Sequence, residues 1–200
     1  MRKLAALMVL LAGLALAQAT DNHTVTVQIP SILSLQLDAT DYLFDFTDAS
    51  LNGTETVTVG NTTYTKASLA AYNTFIDTAT STQDFAPTSL TGTGGQDYGT
   101  LTIRTNRAQW TVAPSVSGTL TLGNNRVKVF AEKVSGKGSS GTTVPTSITS
   151  VSTLISAGSG GQGKSVYRLY YLFTMDINDD IPLSGINNEQ ITITYTLSSP

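Results

Sequence analysis

Alternating apolar and polar residues are the clearest pattern along the chain, and they predict β-strands. The first such run is HTVTVQIPSILSLQLD at residues 23–38. Its apolar side chains of one parity are Val25, Val27, Ile29, Leu33, Leu35 and Leu37. A period of two is typical of a half-buried strand, and proline cannot donate to a strand ladder. We therefore predict one long strand that bends around Pro30.

The same alternation recurs along the rest of the chain. TETVTVGNTTYT predicts a hairpin that turns at Gly60–Asn61. Further strands are predicted from YGTLTIRT, AQWTVAPSV, GTLTLG, NRVKVFAEKV and EQITITYTLSSP. SVYRLYYLFTMDI is apolar at every odd position from Tyr167 to Ile177 and at several even ones. That segment is either a central strand covered on both faces or an aromatic ridge on the surface.

One segment has a helical period instead. In TKASLAAYNTFID, the side chains of Leu69, Tyr72, Phe75 and Ile76 fall on one helical face. Thr65 is placed to cap the start. The pattern therefore predicts one short helix near residues 66–77.

These elements predict an all-β fold. Many short strands with turn signals between them, and no βα alternation, indicate a single immunoglobulin-like or jelly-roll-like β-sandwich of about eight to ten strands. We assign residues 20–200 to this domain. A Gly/Ser/Thr-rich stretch at residues 135–165 is longer than the loops of compact domains, so it is either functional or mobile.

The first 19 residues predict export. Arg2 and Lys3 precede an apolar run from Leu4 to Leu16, and small residues follow at Ala17 and Ala19. This is the order of a cleaved signal peptide, and the run is shorter than the roughly 20 residues that span a bilayer. We expect a protein that is secreted and either extracellular or at the cell surface, with no transmembrane segment after the signal is removed.

Composition agrees with that expectation. The chain has 33 Thr, 20 Ser and no Cys, and only 12% of its residues are charged. Thr suits the pleated surface of a strand, so a hydroxyl-rich, charge-poor sheet surface is expected. Without cysteine there is no disulfide scaffold, thiol chemistry or Cys-based zinc site.

Charge is segregated along the sequence. Residues 20–100 carry nine acids and one base, residues 101–168 carry eight bases and one acid, and four acids follow. Two alternatives stay open: the segments neutralise each other within one fold, or they form opposite poles that guide head-to-tail contact between copies. Nucleic acid is not an expected partner, because the net charge is −3 and the chain is predicted to be exported.

Three patterns suggest chemistry, and two of them fail on context. GSGGQGKS (158–165) fits a phosphate loop, but the residues after it have strand spacing and the motif requires a helix. His23, the only histidine, lies near the predicted cleavage site, so no Ser-His-Asp triad is expected. No carboxylate spacing indicates a glycosidase pair. We expect neither an enzyme nor a nucleotide-binding protein.

The third pattern is a candidate calcium site. DINDD places Asp176, Asn178 and Asp180 at alternating positions, as in the first half of a calcium loop. The alternative is that these residues cap a turn at the end of a strand. Calcium is the one cofactor for which the sequence gives any indication.

Two segments resemble a known class of proteins. TIRTNRAQWTVAPSVSG has a strand followed by a Trp-led strand, and ITITYTL follows Gly185 near the end. Together they are similar to secreted bacterial surface β-sandwiches, including WxL-type wall-associated domains and fimbrial-like or spore-coat-like modules. The resemblance implies a non-enzymatic role at the cell surface.

The sequence thus predicts a structural protein that assembles with copies of itself or with other envelope proteins, as a filament, surface-layer or matrix subunit. The strand that carries Val25, Val27, Ile29, Leu33 and Leu35 is a candidate for pairing with a neighbour's sheet edge. The competing expectation is that this strand pairs within its own domain.

The alternative function is a glycan-binding or adhesive module. Exposed aromatic rings would serve as its stacking platforms. The candidate rings are Trp110, Tyr167, Tyr170 and Tyr171. Their exposure to solvent would favour this alternative, and their burial would count against it.

Overall fold

The computed structural model describes residues 24–39 and 41–200. The chain divides into two compact units, Met1–Pro30 and Ser31–Pro200. All strands of the described residues lie within the second unit. In the described part of the chain, no helix has the length and apolarity required to cross a bilayer.

The second unit is built from short antiparallel strands. In chain order they are β1 Leu33–Leu37, β2 Tyr42–Leu43, β3 Thr56–Val59, β4 Thr62–Thr65, β5 Gln83–Phe85, β6 Ser89–Leu90, β7 Gly99–Thr105, β8 Trp110–Ser117, β9 Val127–Ser135, β10 Ser139–Ser140, β11 Thr146–Ser147, β12 Ile155–Ala157, β13 Gly163–Met175 and β14 Thr192–Ser198. One α-helix, α1, spans Leu69–Thr78, and 3-10 turns lie at Asn124–Arg126 and Ile148–Ser150.

Two main sheets enclose the core. The first has the order β1-β7-β13-β9-β11, and β5 also pairs with β13. The second has the order β10-β12-β8-β14. Side chains of both sheets meet in one cluster that includes Leu101, Ile103, Val112, Ile155 and Leu169. The predicted all-β sandwich with one helix is confirmed.

Strand β13 is the centre of the first sheet. It pairs with β7 on one side and with β9 on the other, and β5 extends the pairing at its C-terminal end. Tyr167 and Leu169 face the core between the sheets. On the opposite face, Tyr170 and Leu172 pack under the β3–β4 hairpin. A strand buried on both faces needs apolar residues at consecutive positions. This explains the run of aromatic and apolar residues in YRLYYLF at residues 167–173.

The helix was predicted correctly, but its cap was not. α1 begins at Leu69, and the Ser68 hydroxyl accepts a 3.1 Å hydrogen bond from the Ala71 N–H. Thr65 is instead the last residue of β4. Phe75 anchors the helix against Phe85, with ring centroids 6.0 Å apart. The helix therefore has its cap three residues later than the sequence pattern suggested, at Ser68 instead of Thr65.

The N-terminal strand is shorter than predicted. Only Leu33–Leu37 forms β1, and residues 24–32 have no assigned strand. Val25, Val27 and Ile29 are 83%, 71% and 77% exposed. Because β1 pairs with β7 of the same chain, Leu33 and Leu35 follow the expectation of pairing within their own domain.

One further strand prediction was wrong, and the Gly/Ser/Thr-rich stretch, in which the sequence allows a short strand near Ile148 to Ile155, holds several short elements. GTLTLG forms a turn rather than a strand, since Gly118 and Gly123 both have positive φ, at 89° and 91°. The stretch 135–165 is not an open loop. It contains β10, β11 and β12, and it contributes Ile148, Leu154 and Ile155 to the core. These core positions could not be recognised from the sequence, because few apolar residues stand among many Gly, Ser and Thr.

Replacing the cap tests the helix boundary. Ser68→Ala removes the acceptor for the Ala71 N–H at a fully buried position, so we expect a loss of about 1 kcal/mol in the free energy of unfolding. Urea denaturation monitored by circular dichroism measures it. Exposed Ser50→Ala is the control and should change stability by less than about 0.5 kcal/mol. Equal values for the two variants would contradict the cap.

Candidate interaction surface

The rings predicted as stacking platforms lie in the interior. Trp110 is 1% exposed, and its Nε1–H donates a 2.9 Å hydrogen bond to the Gly161 carbonyl. Tyr167 is fully buried, while Tyr170 and Tyr171 are each 6% exposed. Burial raises the pKa of Tyr167 and of Tyr170 to about 12. These four rings are core residues, which counts against a glycan platform built from them.

GSGGQGKS is the entry to the central strand. Gly163–Met175 is extended throughout, so no helix follows the glycines. Gly161 approaches Trp110 so closely that a Cβ would lie 2.4 Å from the indole Nε1. Gly161 thus serves core packing at the end of the sandwich, and the strand that the sequence predicts after the motif is confirmed.

The candidate calcium residues form a turn that is neutralised by arginine. The Asp176 carboxylate accepts hydrogen bonds from the Asn178 backbone and side chain, both at 2.9 Å. Arg126 lies 2.5 Å from Asp179 and 3.7 Å from Asp176. Hydrogen bonds from Asn178 lower the pKa of Asp176, and Arg126 adds to the effect. Asp180 is exposed beside them.

The geometry therefore favours the turn-capping alternative. An arginine occupies the position from which a cation would have to neutralise the two carboxylates. In residues 24–39 and 41–200, no group of three or more potential ligand side chains is placed to hold a metal ion. His23 lies outside the described residues.

Part of the charge is neutralised between segments. Lys128 contacts Asp84 at 2.7 Å, and Arg126 contacts the acids that follow β13. Arg168 lies 3.4 Å from Glu132 and 4.7 Å from the centroid of the Tyr98 ring. The pairs made by Lys128 and Arg126 join the basic middle of the sequence to both acidic segments, as the first of the two charge alternatives expects, whereas Arg168–Glu132 lies within the basic middle.

Five bases remain without an ion pair to any described residue, and they share one end of the sandwich. We call this the basic end: Arg104, Arg107, Lys133, Lys137 and Lys164. Arg104 and Lys164 are register partners on neighbouring strands. Lys133 lies opposite Tyr167 in the register of β9 and β13. The Lys137 backbone N–H donates a hydrogen bond to the Ser165 hydroxyl. Like charges placed directly opposite repel each other, so this end is destabilised unless negative charge approaches it.

The opposite end is acidic. We call this group the acidic end: Asp48, Asp77, Asp176, Asp179 and Asp180. Asp176 directly follows β13, and the Asp48 carbonyl accepts from the first N–H of α1. The helix that carries Asp77 packs on Met175. Lys164 and Asp176 are separated by almost the whole of β13, or about 40 Å at the ~3.3 Å rise of a strand.

The edges of the sandwich are also unequal. On one side the sheets end in β10 and β11, which have two residues each. On the other side they end in β1, with five residues, and β14, with seven. Among the strands of the described residues, β14 pairs only with β8, and their register shows no shift. Sequences at natural edges often contain Lys, Pro or a bulge that prevents further pairing. TITYTLS has none of these.

A buried tyrosine pair fixes the β14 edge to the core. The hydroxyls of Tyr171 and Tyr195 hydrogen bond to each other across the sheets. The Tyr42 ring lies 4.5 Å from that of Tyr171, and its hydroxyl donates to the Leu169 carbonyl at 3.4 Å. Burial raises the pKa of all three hydroxyls well above the ordinary value.

No protein-family profile, curated protein or solved structure matches this chain.

Truncating the tryptophan separates a core role from a ligand role. Trp110→Ala should lower the free energy of unfolding by about 3–5 kcal/mol, because a fully buried ring is lost and a cavity is left. Trp110→Phe, the matched control, should cost less because most of the volume is kept. Chemical denaturation measures both. An unchanged midpoint for the Ala variant would contradict burial.

The tyrosine pair predicts lability to alkali. An unfolded tyrosine has a pKa of about 10, and burial raises the folded values. The stabilisation is complete below about pH 10 and is lost as pH rises towards the folded pKa, since only the unfolded chain then releases protons. The denaturation midpoint measured from pH 8 to pH 11.5 should therefore fall above pH 10.

A double variant isolates the cause of that fall. Tyr171→Phe with Tyr195→Phe removes both titrating groups and both hydrogen-bonding partners, so stability at pH 7 should change by less than about 1.5 kcal/mol. The decline above pH 10 should become shallower than in the wild type. The same slope in both proteins would show that this pair is not responsible.

Proposed function

We propose that this protein is a secreted, non-enzymatic structural subunit that assembles head to tail with copies of itself at the cell surface. The observation that carries the proposal is the charge separation along the strand axis. The five bases of the basic end have no ion-pair partner among the described residues. At the other end, Asp48, Asp77 and Asp180 likewise have none, while Asp176 and Asp179 are paired with Arg126. When two copies align end to end, each basic end meets an acidic one.

The charges at the two ends favour association between copies. Opposite charges attract between copies, and the approach of acids relieves the repulsion between Arg104 and Lys164. Because both ends are present on every copy, the contact is heterologous and repeats without closing unless a rotation forms a ring. A filament or layer is the expected product.

Other features support a structural role. The predicted signal peptide, the hydroxyl-rich surface and the resemblance to bacterial surface sandwiches all point to the cell exterior. The hollow at residues 141–153 is lined by Thr, Ser, Val and Gly and has no titratable side chain for acid–base catalysis. An adhesive role that uses Trp110 or Tyr170 gains no support, because both rings are buried.

Charge reversal tests the proposal. Lys133→Glu with Lys137→Glu and Lys164→Glu inverts most of the basic end at exposed positions. Light scattering and electron microscopy should show association of the wild type and at least a tenfold higher concentration requirement for the variant. Raising salt should weaken wild-type association, because exposed charges are screened beyond about 8 Å at physiological ionic strength.

A complementary variant serves as the control. Asp77→Lys with Asp180→Lys places positive charge at the acidic end and should also impair association. An equimolar mixture of the two variants should recover part of it, since the reversed ends again attract. Wild-type protein that stays monomeric at every concentration would contradict the proposal, as would variants that assemble like the wild type.

A further inference from the structure

The turn that leads into β3 contains the one Asn-Gly pair of the sequence, Asn52–Gly53. An asparagine in such a pair can cyclise, because the backbone nitrogen of the next residue attacks the side-chain amide carbon and glycine has no side chain to obstruct the approach. The reaction needs a polarised carbonyl group, an acceptor for the proton on the nitrogen, and water. The structure brings the first two together at Asn52 and leaves the side chain open to the third.

The side-chain carbonyl of Asn52 is held by two donors. Its Oδ1 accepts a 3.0 Å hydrogen bond from the Thr54 backbone N–H and a 2.6 Å hydrogen bond from the Thr54 hydroxyl. In such a turn the asparagine side chain folds back over the backbone that follows it. Donors on a carbonyl oxygen draw electron density from its carbon and stabilise the negative charge that develops on the oxygen during attack.

The attacking nitrogen faces a carboxylate. The Gly53 N–H donates a 3.1 Å hydrogen bond to Glu55 Oε2, and the Asn52 N–H donates a 3.3 Å hydrogen bond to Oε1. Backbone hydrogen bonds, first from its own N–H and then from these two residues, lower the pKa of Glu55, so the carboxylate is ionised at neutral pH. The N–H lies in the peptide plane, whereas the nitrogen attacks with the electron pair perpendicular to that plane. Glu55 can therefore take the proton while the nitrogen forms its new bond.

Contacts with neighbouring elements hold the turn in this conformation. Gly53 has a φ of 84°, and a Cβ at this position would lie 3.1 Å from the Ala70 Cβ on α1. The Glu55 carbonyl accepts a 2.8 Å hydrogen bond from the Lys66 N–H. Asn52 itself is exposed, so water reaches its side chain. Holding the reacting groups in one arrangement lowers the entropic cost of bringing them together.

We propose that Asn52 is a self-modification site, at which the chain converts a side-chain amide into a carboxylate. The Gly53 nitrogen bonds to Asn52 Cγ and gives its proton to Glu55. The Cγ–Nδ2 bond then breaks as Nδ2 takes up that proton and leaves as ammonia. Water opens the resulting cyclic imide at one of its two carbonyls and yields aspartate or its isoaspartyl isomer. Water is the co-reactant, and Glu55 returns to its ionised form.

The modification adds negative charge to the acidic end. The Asp48 carbonyl accepts from the first N–H of α1, and Gly53 lies against the same turn of that helix. A carboxylate beside a helix N-terminus is stabilised by the helix dipole. The site goes beyond the proposed assembly and does not depend on it.

Peptide mass spectrometry of aged protein tests the site. The wild type is incubated at neutral pH, and the peptide that contains Asn52 is followed for the mass gain of amide-to-acid conversion and for isoaspartate. Asn52→Gln should abolish the conversion, because the longer side chain must close a larger ring. Asn61 is the internal control, since it is exposed in a turn but precedes a threonine. It should convert at least about tenfold more slowly, because the branched side chain obstructs the nitrogen.

Two variants test whether the local geometry drives the reaction. Thr54→Val removes the hydroxyl donor but keeps the branched shape, and Glu55→Gln removes the proton acceptor but keeps the size. Each should slow conversion at Asn52 by about tenfold. Thr196→Val and Glu189→Gln are the matched controls at distant exposed positions, and both should convert at the wild-type rate.

Denatured protein separates the folded site from the dipeptide alone. In concentrated urea the turn is lost, so the wild type, Thr54→Val and Glu55→Gln should convert at one common rate. A wild type that keeps its amide at Asn52 would overturn the proposal. Equal rates for the three folded proteins would also overturn it, as would the same differences between them in urea. None of these rates depends on association between copies, so the site and the assembly can fail separately.

Discussion

The central strand β13 is the element on which the rest of the structure depends. It pairs with two long neighbours, and apolar side chains cover both of its faces. Because a strand covered on both faces cannot tolerate solvent on either, it requires a second sheet on one side and a further layer on the other. Those coverings follow: β8, β12 and β14 close one face, while β3 and β4 close the other, and α1 packs on Met175 at the C-terminal end of the strand. In a chain without disulfides, this burial supplies the stability.

The same arrangement explains where the fold remains open. Covering β13 uses most of the large apolar residues, and the sheet margins are left with short or hydroxyl-rich strands. β10 and β11 are too short to recruit a partner, but β14 has seven residues and no charge. An edge of that kind either aggregates without specificity or is matched by a particular strand.

Sequence patterns predicted the elements whose local period and tertiary position agree. The hairpin, the helix and the doubly buried strand could all be predicted, because the apolar pattern of each lies within a few neighbouring residues of the sequence. Patterns failed where tertiary context decides. Val25 and Leu35 have the same alternation, yet only the second has a neighbour in β7. Trp110 resembles a surface platform in sequence, and only the approach of Gly161 shows that it is enclosed. The charge poles could be counted from sequence, but their separation depends on the length of β13.

The buried tyrosine pair connects the interior to the open edge. Tyr195 belongs to β14, and its hydroxyl is bound to Tyr171 on β13, so the edge strand is held in register by the most buried strand of the domain. A rigid edge strand loses little conformational entropy when another molecule contacts it. Tyr195 thus links the packing of the core to the order of the outermost strand of the second sheet.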